Sequence, residues 1–60
     1  MDNITEKELT IISELLTLEE NACKKARLYS KELLDPSVYE TISEVADGHE
    51  TRFSTLLKLL

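Results

Sequence analysis

The chain has 60 residues, one cysteine and a formal net charge of −5 at pH 7. This length allows one small domain and excludes a large enzyme, and a single cysteine excludes an internal disulfide. The acidic balance disfavours phosphate backbones and anionic membranes as partners. We therefore expect a single domain over residues 1–60, with no nucleic acid partner and no membrane insertion, that is stabilised by self-association.

The first residues bear on where the protein acts. Met1–Ile4 contains neither a basic segment nor a long apolar run, so we expect no secretory signal. The unpaired Cys23 is compatible with a reducing compartment, where disulfides are rare. We interpret the glycosylation triplet Asn3-Ile4-Thr5 as a chance match on this basis. Together these features predict a cytoplasmic protein.

The first helix is predicted over residues 5–34. Thr5 and Glu8 have the spacing of a capping box, and neither Pro nor Gly interrupts the chain before Leu34. The apolar positions that follow a three-four repeat along this helix are Ile12, Leu15, Ala22, Ala26, Tyr29 and Leu33. Glu19 occupies the missing step of that repeat.

A turn near residue 35 separates this helix from a second one over residues 36–60. Asp35 is a good N-cap and Pro36 suits the first helical position, so one helix ends and another begins there. The three-four repeat of the second helix consists of Tyr39, Ile42, Ala46, His49, Phe53, Leu56 and Leu60. The short connection predicts an antiparallel helical hairpin.

The apolar stripes of both helices are wider than one partner helix can cover. The further apolar residues that flank the two repeats are Leu9, Ile11, Leu16, Leu18, Cys23, Val38, Val45 and Leu57. A second copy of the same hairpin would cover them and form a four-helix bundle with two-fold symmetry. The predicted fold is therefore all-α, a homodimer of helical hairpins.

Two polar residues lie inside the predicted apolar repeats. Glu19 is 16 residues before Asp35 and His49 is 14 residues after it, so at the helical rise both lie at nearly the same level, ~24 Å and ~21 Å from the turn. A hydrogen bond that fixes the register, solvent exposure and a metal site are all open interpretations. In the metal site, two chains would each supply Glu19 and His49 to iron, zinc or manganese. Gly48 is interpreted as permitting close backbone approach nearby.

Several segments resemble the ferritin-like superfamily, most closely the small bacterial proteins related to the spore-coat F type and to rubrerythrin. Leu18-Glu19-Glu20-Asn21 is similar to the first-helix segment that carries the family's metal-binding Glu, and Asp35-Pro36 resembles its turn. His49-Glu50-Thr51-Arg52-Phe53 is similar to the segment in which di-iron members have Glu-x-x-His. The resemblance implies that Glu19 and His49 are the metal-ligand positions.

The sequence departs from the di-iron pattern at Ala46, where a di-iron member has the Glu of Glu-x-x-His. The resemblance therefore implies a structural or interaction protein without enzymatic activity and without a complete di-iron centre. It also implies a role in coat or envelope assembly, with other coat proteins as partners and association with spores. The alternatives are a metal-binding protein that uses Glu19 and His49, and a regulatory hairpin that docks on another protein.

The remaining candidate side chains are interpreted as structural. Glu20 and Glu50 lie at the edge of the repeats and are expected to form salt bridges, whereas Asp47 is expected on the surface. Tyr29 is expected to pack in the repeat, and Cys23 is expected to be a buried, unreactive thiol. No combination of residues favours nucleophilic catalysis.

Overall fold

The computed structural model describes residues 4–60, which form two α-helices and no strand. Helix α1 is Glu6–Ser30 and helix α2 is Pro36–Leu57. The helices are antiparallel, because Glu19 contacts His49 whereas Cys23, one turn further along α1, contacts Ala46, about one turn earlier on α2. The all-helical hairpin is therefore confirmed. The residues at 1–3, on which the expectations about a secretory signal and the glycosylation triplet partly rest, lie outside the described part.

The start of α1 is fixed by the predicted capping box. The Glu8 backbone N–H donates to the Thr5 hydroxyl oxygen at 3.1 Å, and the Thr5 backbone N–H donates to the Glu8 carboxylate at 3.2 Å. These bonds satisfy two backbone donors that the first helical turn leaves without partners. The bonds from Thr5 also hold the pKa of Glu8 below its ordinary value.

The first helix ends at Ser30, earlier than the predicted end at residue 34. Its last turn closes with shorter-range bonds, from the Glu32 N–H to the Tyr29 carbonyl oxygen at 3.0 Å and from the Leu33 N–H to that of Ser30 at 3.3 Å. A single residue at position 35 cannot reverse the chain between two packed helices, because their axes lie about 8–10 Å apart. The segment 31–35 provides the necessary length.

The second helix begins as predicted. The Asp35 carboxylate accepts hydrogen bonds from the backbone N–H groups of Ser37 at 2.9 Å and Val38 at 3.2 Å, with Pro36 as the first helical residue. The helix ends at Leu57 and not at the predicted residue 60. The tail tightens, since the Leu60 N–H bonds three residues back to the carbonyl oxygen of Leu57 at 3.1 Å.

The contact between the helices differs in part from the predicted repeat. Leu15 and Tyr29 on α1 are exposed, by 41% and 56%, and so are Tyr39 on α2 and Leu60 in the tail after it. The buried or half-buried positions that follow a four-three repeat on α1 are Ile12, Leu16, Glu19, Cys23, Ala26 and Ser30, and Leu33 continues the repeat past the helix end. The facing positions of α2 are Ile42, Ala46, His49, Phe53 and Leu56.

Small side chains explain which of the two possible repeats on α1 faces α2. Ala46 has no exposed surface, and Ala26 and Ser30 are buried. The small side chains let the two helices approach closely, whereas the phenol ring of Tyr29 would hold them apart. The buried Ser30 hydroxyl donates to the Arg27 carbonyl oxygen of its own helix at 2.9 Å, so its burial leaves no polar group without a partner.

The hairpin is one helix layer thick, with overall extents of 47 × 14 × 9 Å. No helix within residues 4–60 is both long and apolar enough to cross a membrane. A single layer buries one face of each helix only. The residues on the flanks stay exposed, and they define the candidate sites described next.

Candidate functional site

Three side chains meet at the middle of the hairpin: Glu19 of α1 and His49 and Arg52 of α2. His49 Nδ1 lies 2.6 Å from Glu19 Oε2, and the Arg52 Nε–H donates to Glu19 Oε1 at 3.1 Å. The side chains of Glu19 and His49 are 21% and 22% exposed, whereas that of Arg52 is 55% exposed. The equal level predicted for Glu19 and His49 is therefore confirmed, and the two residues form a polar contact inside the seam.

The hydrogen-bond partners of His49 determine that its Nδ1 carries a proton. An ionised carboxylate only accepts hydrogen bonds, so the 2.6 Å contact requires a proton on Nδ1 of His49. Arg52 Nη2 also lies 2.9 Å from Nδ1, but a protonated Nδ1 cannot accept a bond from it. The guanidinium is therefore held by Glu19, through Oε1. Among the described residues, no hydrogen bond is formed by Nε2 of His49.

Glu19 is the charged centre of this cluster. The hydrogen bond from His49 lowers the pKa of its carboxyl group below the ordinary value of 4.5, and the bond and charge of Arg52 act in the same direction. Partial burial opposes this shift but is the smaller effect. Glu19 is consequently ionised at neutral pH and paired with a permanent cation.

Arg52 is the member that the sequence did not reveal. The signal available was its spacing, since Arg52 follows Gly48 by four residues and His49 by three and so lies over both on the helix surface. A Cβ atom placed on Gly48 would meet three Arg52 guanidinium atoms as its nearest neighbours, the closest at 3.3 Å. No backbone atom of α1 is among these nearest neighbours, so the predicted close backbone approach does not occur between α1 and α2, and between two chains it stays a prediction. Gly48 leaves room for Arg52.

A metal centre does not fit the residues of one chain. Glu19 and His49 are two ligands only, and no cluster of three or more metal-ligand side chains occurs in the described part of the chain. The Arg52 guanidinium also lies beside the carboxylate, where its positive charge would repel a cation. The metal site predicted from two chains stays a prediction, and it requires Arg52 to move away.

Ion pairs cover one side of the hairpin, and they include the two edge carboxylates that were expected to form salt bridges. Arg27 pairs with Asp47 at 3.0 Å and with Glu50 at 2.9 Å, and Lys24 pairs with Glu20 at 2.8 Å. The hydrogen bonds that Arg27 donates to the carboxylates of Asp47 and Glu50 raise the pKa of its guanidinium group. These exposed pairs stabilise the hairpin only weakly.

A shallow groove of about 370 Å³ lies on this charged side, and Cys23 lines it together with Phe53. Cys23 is half-buried, and its sulfur lies 3.5 Å from the Ala46 carbonyl oxygen, to which the thiol donates weakly. The charged groups around the groove already pair with one another. The thiol is therefore a packing group in this structure, and the groove holds no cluster of free polar groups.

The opposite side of the hairpin carries what we call the apolar face. Leu15 of α1 and Arg52 of α2 line a common groove there, and the other members follow these two at helical spacing. The large apolar residues of this face are Ile11, Leu15, Leu18, Tyr29, Val38, Val45 and Leu59. Each of them is between 37% and 64% exposed.

Comparison of the chain with protein-family models, with curated proteins and with solved structures gives no match. The resemblance to the ferritin-like superfamily therefore rests on motifs of the sequence alone. The arguments about function below depend on the geometry of the hairpin.

Proposed function

We propose that the protein is a non-enzymatic structural or interaction protein that works as a homodimer, in which two hairpins form a four-helix bundle. The apolar face is the observation that supports this proposal. It runs along both helices, and Leu18 near its centre is 64% exposed. An extended apolar surface of this kind on a small domain is typical of a protein interface.

A second copy of the chain fits the apolar face better than a globular partner. Each hairpin contributes two parallel rows of apolar residues, so two copies supply the four helices of a closed bundle. An isologous contact lets each apolar face cover the other, which leaves neither exposed. Within residues 4–60 the hairpin alone buries few apolar side chains, Ile12, Ala26 and Ala46, so association supplies most of the missing core.

The role of the dimer is proposed from the sequence resemblance. A ferritin-like bundle of the spore-coat F type would serve coat or envelope assembly, with cytoplasmic synthesis, spore association and other coat proteins as partners. Ala46 supports a role without di-iron chemistry, because a methyl group stands where a bridging carboxylate would be needed and has no exposed surface.

Native mass spectrometry and sedimentation of the wild-type chain and of Leu18→Glu test the dimer. The wild type is expected to be a dimer at low micromolar concentration, and Leu18→Glu is expected to be largely monomeric because it places two charges in the interface. Leu28→Glu is the matched control, since Leu28 is similarly exposed, at 56%, but lies on the outer surface of α1. A monomeric wild type would contradict the homodimer and favour docking on a different protein.

Metal binding is the second candidate function, supported by the contact between Glu19 and His49. Mass spectra recorded after exposure to iron, zinc and manganese in turn extend the same experiment. Metal retained at fixed stoichiometry by the wild type and lost by Glu19→Ala/His49→Ala would support an intersubunit site. Because Arg52 already neutralises Glu19, we expect a metal-free dimer.

A further inference from the structure

Three charged residues of α1, and a fourth just past its end at Ser30, form a row along the outer edge of the apolar face. They are Lys7, Glu14, Lys25 and Glu32. The steps between them are seven, eleven and seven residues, each close to a whole number of helical turns, so Lys7, Glu14 and Lys25 lie on one edge of α1, and Glu32 follows two residues after the helix end. The signs of the charges alternate along the row. The residues lie at equal distances on either side of a point between Glu19 and Glu20, and the two members of each equidistant pair have opposite charges.

These four residues are free to pair with another molecule. All four are exposed, and none of them forms an ion pair with any residue of the described segment 4–60. Other charged residues of α1, such as Lys24 and Arg27, do pair within the hairpin. The unpaired charges therefore border the face that a second copy would cover.

The order of the signs distinguishes the two possible orientations of that copy. If α1 packs antiparallel beside α1 of the second copy, with the two-fold axis near Glu19, Glu14 of each chain lies opposite Lys25 of the other. Lys7 lies opposite Glu32 in the same way. In a parallel arrangement each residue would face its own copy, and like charges would repel.

A second row, on α2, has its centre at nearly the same level of the hairpin as the row on α1. Thr41, Gly48 and Thr55 are spaced by seven residues and carry no charge. The central residue, Gly48, is next to His49, which contacts Glu19. A two-fold axis at the level of Glu19 therefore passes close to the centre of both rows, and it brings no like charges of α2 together along this edge.

We propose that the second copy binds antiparallel, with the two hairpin turns at opposite ends of the bundle, α1 beside α1 and α2 beside α2. The charged row on α1 selects this orientation. This inference rests on the proposed homodimer and adds its geometry. The apolar face supplies the binding free energy, and the charges determine the orientation.

A double-mutant cycle with Glu14→Lys and Lys25→Glu tests the orientation, with dissociation constants measured by sedimentation at low salt. Each single substitution turns two symmetry-related attractions into repulsions and is expected to weaken the dimer by about tenfold. The double substitution restores opposite charges across the interface and is expected to return the dissociation constant to about the wild-type value. The coupling is expected to disappear at high ionic strength.

Net charge provides a strict control for this cycle. Glu14→Lys makes the acidic chain less negative, so a general charge effect would strengthen the dimer and not weaken it. Glu40→Lys makes the same charge change at an exposed residue of α2 that forms no ion pair within residues 4–60, and it is expected to leave the dissociation constant unchanged. A wild-type dimer with purely additive single effects would overturn the orientation but leave the proposed function intact. A monomeric wild type would overturn both.

Discussion

Glu19 is the residue on which the polar part of the seam depends. It accepts hydrogen bonds from His49 and from Arg52, and both come from α2. An apolar residue at this position could pack against any apolar neighbour, whereas the carboxylate has partners at one level only. We infer that Glu19 specifies the register of the hairpin more than it increases stability, as polar residues in coiled-coil seams do.

The pairing of Glu19 predicts an acid sensitivity that a glutamine would reduce. Its pKa is lower in the folded chain than its ordinary value of 4.5, so its contribution is fully present above pH 4.5 and is lost as the pH falls through the folded pKa. On acidification, the Glu19→Gln variant should lose less of its helical circular dichroism than the wild type does. Some loss should remain, because the pKa values of Glu8 and Asp35 are also lowered by their cap hydrogen bonds.

Glu44→Gln serves as the control for this titration, since Glu44 is exposed and forms no ion pair within residues 4–60. The Glu44→Gln variant should lose helical circular dichroism on acidification to the same extent as the wild type. An unchanged acid profile for Glu19→Gln would show that the contact with His49 does not contribute to stability.

The helix starts could be predicted from sequence because they depend on local chemistry. Thr5 with Glu8 and Asp35 with Pro36 bond to backbone groups within three residues, so their spacing alone identifies them. The end of α1 depends on reversing the chain, and no Gly marks it. The cap geometry at Lys31 is helical, so the helix simply tightens and stops.

The side of α1 that faces α2 could be predicted only in part. Two repeats share Ile12, Glu19, Ala26 and Leu33, and they differ in whether Leu15 and Tyr29 or Leu16 and Ser30 fill the other steps. Hydrophobicity favours the first repeat, but close packing at Ala46 selects the second. The contact of Glu19 with His49 could be predicted, because both repeats contain Glu19. The contact of Arg52 with Glu19 could not be predicted, since a long side chain reaches its partner through rotamers that spacing does not specify.

Gly48 provides a test of this view of α2. Gly48→Ala should stabilise the protein by about 0.5–1 kcal/mol, because alanine has the higher helix propensity and the new methyl group meets only the flexible end of Arg52. That end is 3.3 Å from the Cβ position and must shift by a few tenths of an ångström. Chemical denaturation measures the change, with Arg52→Gln as the background in which no neighbour has to move. Destabilisation in both backgrounds would mean that another backbone, which in the proposed bundle is α2 of the second copy near the two-fold axis, lies against Gly48.

The whole molecule is too thin to fold securely by itself. Its shortest extent is 9 Å, and within residues 4–60 only Ile12, Ala26, Ser30 and Ala46 are buried. A small domain of this kind has little stability to spare once chain entropy is counted. The apolar face is therefore required for folding in our proposal, and association is part of folding.

Coupled folding and association make the melting temperature depend on concentration. If the native state is a dimer and the unfolded state is a monomer, each tenfold increase in protein concentration favours the dimer by about 1.4 kcal/mol. For a bundle of this size the melting temperature should rise by about 5 °C per tenfold step. Leu28→Glu should keep this dependence, because Leu28 lies outside the apolar face. Leu18→Glu should be largely unfolded, with little helical circular dichroism and no concentration-dependent transition at the same protein concentrations. A wild-type melting temperature independent of concentration would show that the hairpin folds alone.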